Sequence, residues 1–171
     1  AGIVGGLLIG GTGLPLTATT DAIPLWLDVL AAAVLAMCYP VYFSMPIRTF
    51  GWAFLAGGLA HAAHWVALTW GRWNAPASSL LACLVAGGLL TPVCHSRHIP
   101  FAGAGFAAVV ALVPGVYLFR AAAGTLSLVG KAHAEAALEA TASDLATAVV
   151  IVLAMAVGLV VPHRAWARLA R

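Results

Sequence analysis

The chain has 171 residues, of which 63% are hydrophobic and 8% charged, and its mean hydropathy is +1.04. A water-soluble domain carries about a quarter charged residues, so the thirteen charges present cannot wet a globule of this size, and the surplus apolar surface must face lipid. The net charge of +3 is too thinly spread for nucleic acid, because no Lys/Arg patch is interleaved with aromatics, and Cys38, Cys83 and Cys94 form no CxxC pair, which points to no disulfide framework and no metal site.

A spanning helix needs roughly twenty mostly apolar residues. Ala1–Leu16 is a little short for this and lacks the basic start of a signal peptide. It reads as the end of a preceding transmembrane helix cut through in a longer protein, with Gly2, Gly6 and Gly10 as a packing stripe. A polar turn follows at Thr17–Asp21, and Pro24 opens the first complete span, Leu25–Phe43. Pro46 and Arg48 mark a short loop. Thr49–Trp70 is the second span and Ala75–Thr91 the third, with a tight turn at Gly71–Asn74 between them.

Cys94–Pro100, with His95, Arg97 and His98, reads as a polar loop. The apolar run from Phe101 to Val129 would extend about 43 Å as one helix, too long for a straight crossing of a core of about 30 Å. Pro114–Gly115 interrupts it, so a broken or kinked fourth helix with an interfacial tail is expected, carrying a stripe of Gly103, Ala107, Ala111 and Gly115. Polar residues Lys131 to Glu139 lead to a last span at about Ala140–Val161, ended by Pro162 and a basic tail. The expected fold is an all-α integral membrane bundle of five transmembrane helices over residues 17–171, plus the truncated N-terminal helix over residues 1–16.

Counted loop by loop, one side carries Arg48, Arg97, Arg164, Arg168 and Arg171. The other carries Arg72 and Lys131, together with Asp21, Glu135 and Glu139. The positive-inside bias then places the chain in the cell (inner) membrane as a multi-pass protein with a cytoplasmic C-terminus.

Ionisable groups at membrane depth are costly and therefore mark candidate sites. His61 and His64, spaced i, i+3, share a helix face with Gly57, where imidazole could carry a proton or make interhelical hydrogen bonds. Asp144, with Thr147 continuing its face, could carry a proton or meet an ammonium group. Alternatively it is a helix-start acid favoured by the helix dipole. Arg120 offers a fork for a carboxylate, or else snorkels to the membrane face. Pro114–Gly115 would free backbone groups to line a site, or act as a packing kink. Asp28, near Trp26, reads as interfacial. No phosphate loop, GxSxG elbow or paired carboxylates point to an enzyme, and no cofactor is implied.

Three segments resemble the C-terminal membrane module of the threonine/serine exporter family. They are Pro46-Ile47-Arg48 followed by Trp52, Gly57 and His61; Pro114-Gly115-Val116-Tyr117-Leu118-Phe119-Arg120; and a last helix with Asp144 and Thr147 near its start and Gly158 and Pro162 near its end. The resemblance covers about residues 25–168. It implies a module of about five spans, working with an N-terminal half that is either fused or a separate subunit, with Ala1–Leu16 as the last helix of that half. It further implies proton-driven secondary export of threonine and serine, or of small dicarboxylates as in some relatives. The rival class is a non-transporting membrane assembly subunit, and a homo-oligomer is compatible with either. Substrate, bilayer and partner half are the expected partners.

Overall fold

The computed structural model describes residues 24–129 and 134–169. The expected helix at Ala1–Leu16, the turn at Thr17–Asp21 and Lys131 lie outside the described residues. Six α-helices are described, with no strand among the described residues: α1 (Leu25–Tyr42), α2 (Arg48–Thr69), α3 (Ala75–Arg97), α4 (Phe101–Val109), α5 (Gly115–Val129) and α6 (Ala134–Leu169). A 3-10 turn, Val110–Leu112, follows α4. The chain divides into two compact units, one holding Pro114–Val149 and the other Ile23–Val113 with Val150–Arg171.

Proline opens four of these helices. Pro24 and Pro100 stand in extended backbone at the starts of α1 and α4. Pro76 occupies the first turn of α3, where its missing N–H would be unpaired anyway, and Asn74 Oδ1 caps that helix by accepting from the Ala77 N–H at 3.0 Å. Pro114 forces the residue before it out of helical geometry. Val113 is extended, with ψ of 131°, and α5 starts beyond it, the Leu118 N–H donating to the Pro114 carbonyl.

Three further prolines, Pro40, Pro92 and Pro162, stand inside helices. Two expected span limits, Thr91 and Pro162, do not hold. The expected span Ala75–Thr91 continues through Pro92 to Arg97, so only His98–Pro100 remain as loop. The expected end at Pro162 is overrun to Leu169, and Glu139 belongs to the helix and not to a polar connection. A proline ring collides with the carbonyl four residues back, and at these three positions that residue is Ala36, Gly88 or Gly158. Such prolines are tolerated inside membrane helices.

Within the larger unit, α2 packs against α1, α3 and α4, and α4 also touches α1 and α3. Most of the buried residues are small, among them Ala32, Ala33 and Ala36 of α1, Ala53, Ala56 and Ala60 of α2, Ala82, Cys83 and Ala86 of α3, and Ala104, Ala107 and Ala108 of α4, with Leu90 and Val109 as larger exceptions. Large residues point the other way, among them Trp26, Leu30, Val34 and Leu35 on α1 and Val150, Val152, Leu153 and Val157 on α6. That distribution inverts the one found in water-soluble domains.

By length and composition α1, α3 and residues 138–169 of α6 could each cross a membrane, and α4 with α5 would add a fourth crossing if they form one broken span. The most apolar window of α3 is 50% buried, against 22% for α1 and α6, so α3 is the inner helix of these. α2 spans 22 residues but is not one of the three, its sequence being diluted by glycine, histidine and tryptophan.

Glycine sets the closest approaches. A methyl group at Gly57 would lie 2.5 Å from Ala36 Cβ, and one at Gly158 would lie 2.6 Å from Cys83 Cβ and 2.9 Å from the Leu80 carbonyl oxygen. Of the expected stripe on the fourth helix, Gly103 meets Met45 and Ala107 is buried, but Gly115 faces open space. The 3-10 turn and Pro114 end the helical register before Gly115 is reached. Gly57→Val and Gly158→Val are each expected to cost about 1–3 kcal/mol by overpacking. Gly51→Ala and Gly88→Ala, where a methyl group meets nothing within 4 Å, are expected to be close to neutral. Thermal unfolding in detergent checks the contrast.

Candidate functional site

The seam between α1 and α2 carries the first charge pair. On α1 the spacing Asp28, Ala32, Ala36 is i, i+4, i+8, and on α2 Gly57 and His61 are i, i+4, so each set lines one helix face. Gly57 brings the two backbones together at Ala32 and Ala36. One turn further, His61 Nδ1 and Asp28 Oδ2 lie 3.2 Å apart. The His61 side chain is 10% exposed and that of Asp28 29%, and Asp28, expected to be interfacial beside Trp26, has a partner on α2.

An ionised carboxylate only accepts hydrogen bonds, so the contact requires the His61 proton on Nδ1. In the neutral imidazole Nε2 is then the acceptor nitrogen. It is buried and has no hydrogen-bond partner within the described structure. His64 stands next on the same helix face, its ring centroid 6.2 Å from that of His61, lying toward the Ser78 backbone. Its Nδ1 is likewise buried without a hydrogen-bond partner. The row Asp28, His61, His64 therefore combines one carboxylate with two imidazoles that retain unused hydrogen-bonding capacity.

The second pair belongs to the other unit. Arg120 Nε of α5 meets Asp144 Oδ2 of α6 at 3.1 Å. Asp144 is buried, whereas the Arg120 side chain is 54% exposed. Because α6 begins at Ala134, Asp144 is well past its first turns, and the reading as a helix-start acid held by the dipole does not apply. Nor does Arg120 snorkel alone: its guanidinium is tied to an acid. Thr147 spends its hydroxyl on the Ser143 carbonyl at 2.8 Å, a local bond that leaves only the oxygen's acceptor side for anything else. Pro114 is buried at the start of α5 and Gly115 is exposed.

Two of the cavities lined by described residues lie in the larger unit. One, of about 530 Å³, lies at the end of the bundle where α3 stops and α4 starts, beside the C-terminal part of α6. The other, of about 520 Å³, is lined by Cys38, Tyr39, Tyr42, Phe43 and Phe106. The rings of Tyr39, Tyr42, Phe43 and Phe106 make tilted or edge-on contacts with one another. Neither cavity is lined by His61, Arg120 or Asp144. Among the described residues no group of three or more His, Cys, Asp or Glu side chains could hold a metal ion.

Reasoning from sequence picked His61, Arg120 and Asp144 one by one, and missed Asp28. The available signal was its spacing of four from Ala32 and eight from Ala36, which puts the acid on the small-residue face and not on the lipid face.

No solved structure matches the chain. A family model does, over residues 28–165, a stretch that begins at Asp28 and encloses both charge pairs. It is described as Threonine/Serine exporter, ThrE, and the chain belongs to that family.

Proposed function

We propose that the chain is the C-terminal half of a secondary exporter that moves threonine, serine or a similar small amino acid out of the cell. In this reading it lies in the inner membrane with five crossings, α2 and the broken α4–α5 pair each counting as one. Its C-terminus is cytoplasmic, and it works with an N-terminal half. Export is driven by proton uptake. The observation that carries the proposal is the part-buried contact of His61 with Asp28 on a seam lined mainly by alanine and glycine, in a chain of an exporter family.

Burying an acid and a base in an apolar bundle is costly unless they are paired. A carboxylate–imidazole pair can take up a proton and hand it on without leaving an isolated charge. His61 Nε2 supplies the lone pair that would receive it, and His64 extends the row. Arg120 and Asp144 supply the complementary chemistry for a zwitterion. The guanidinium can take a substrate carboxylate in a two-pronged contact, releasing Asp144 to meet the ammonium group. Thr147 and the Pro114–Gly115 break belong to this second region.

The second reading, a non-transporting assembly subunit, is favoured by the fact that neither cavity is lined by His61, Arg120 or Asp144. Transport separates the two. The chain reconstituted with its partner half is expected to drive threonine or serine efflux under an imposed pH gradient. Asp28→Asn and His61→Ala are each expected to lower that efflux by about tenfold or more while leaving substrate exchange at equal pH largely intact, as loss of proton coupling requires. Unchanged gradient-driven efflux in both variants would remove the pair from the mechanism, and no efflux by the unaltered protein would remove the exporter reading.

The Arg120–Asp144 pair has its own measurement. A double-mutant cycle of Arg120→Ala and Asp144→Ala on thermal unfolding is expected to give a coupling of about 1 kcal/mol, as for residues in direct contact. Substrate at saturation is expected to shrink that coupling, because the carboxylate competes for the guanidinium.

A further inference from the structure

The cavity of about 530 Å³ at the basic end of the larger unit plays no part in the function proposed above. Its wall includes Thr91, His95 and His98 from the end of α3, Phe101 from the start of α4, and His163 and Trp166 from α6. The titratable groups lining it are the three histidines and Cys94. Cys94 is buried, and the hydroxyl of Thr91 is engaged with the Gly87 carbonyl at 2.6 Å. The imidazoles, with the Trp166 indole N–H, are therefore the polar side-chain groups left for a ligand.

Two of the three are held in position. The His163 ring is stacked on Phe101, with centroids 4.3 Å apart and planes within 17°, so its nitrogens lie at the edge of a fixed slab. His98 closes α3 in a left-handed conformation, φ 53°, with its N–H on the Cys94 carbonyl. A non-glycine residue seldom adopts that backbone. No acid lines the cavity. Its polar wall is thus imidazole without a counter-charge. Arg97 precedes His98 directly, and Arg164 follows His163.

We infer that this cavity is an oxyanion site that takes a phosphoryl group. A phosphoryl group suits imidazole in either state, accepting from a protonated ring and donating its own O–H to a neutral one. A zwitterionic amino acid would find no acid for its ammonium group. The volume exceeds what inorganic phosphate alone would fill, and Trp166 and Phe101 offer apolar surface to whatever carries the anion. Basic pockets between membrane helices near the surface bind phospholipid head groups by the same chemistry, so free phosphate and an anionic head group are the two sources to separate.

The full chain in nanodiscs supplies the test, with Trp166 fluorescence read as the difference between the chain and its Trp166→Phe variant. In discs of neutral phosphatidylcholine, inorganic phosphate is titrated. In a second arm the discs contain phosphatidylglycerol and no phosphate is added. A saturable response in the first arm assigns a soluble anion, and a response in the second alone assigns a lipid head group. Either response is expected to weaken about tenfold in the variant His95→Gln/His98→Asn/His163→Gln. Asparagine is chosen at residue 98 because it tolerates the left-handed backbone. The exposed single change His95→Gln keeps the test valid if the triple variant does not fold, with a weakening of about threefold expected. No response in either arm, or a response that the variants leave unchanged, overturns the site. Neither outcome bears on the exporter reading, which rests on other residues.

Discussion

The architecture depends on one inversion of the usual packing rule. Alanine, glycine, serine, threonine and cysteine face inward, and leucine, valine and tryptophan face outward. In water this arrangement would expose a continuous apolar surface far beyond what a monomeric domain tolerates. In hydrocarbon it is sound. Helices gain nothing by hiding leucine from lipid, so they associate through close backbone contact and van der Waals packing. Each helix in the larger unit is placed by where its small residues fall.

That constraint also determines where charge can reside. A seam lined with alanine and glycine leaves no room for long polar side chains, yet it brings short ones from two helices within bonding reach. Asp28 and His61 meet one turn beyond the closest approach at Gly57, so the tight packing and the ion pair are consecutive parts of one interface. Arg120 and Asp144 solve the same problem with a longer cation, which leaves much of the guanidinium uncovered. Both pairs lie inside the stretch that the exporter family shares.

Much of this was legible in the residues themselves. Composition alone required lipid, and the starts of α1, α3 and α4 follow from Pro24, Asn74 with Pro76, and Pro100. The break before α5 follows from Pro114. What could not be read were features decided by partners distant in the chain. Pro92 and Pro162 carry the local signal of a helix end, yet α3 and α6 continue through them. The Asp28–His61 contact joins residues 33 apart, and nothing in either neighbourhood names the other. Asp144 seemed to begin a helix because the polar residues before it resemble a loop, whereas they form the first turns of α6.

Pro162 has no N–H to offer the Gly158 carbonyl, and that oxygen lies 3.1 Å from where a methyl group on Gly87 would be. Gly158 in turn is pressed against Cys83 and Leu80. With glycine on both sides and no clearance for a single carbon, α3 and α6 cannot slide lengthwise past each other at this point without losing contact. A side chain in place of either glycine would push α3 and α6 apart here.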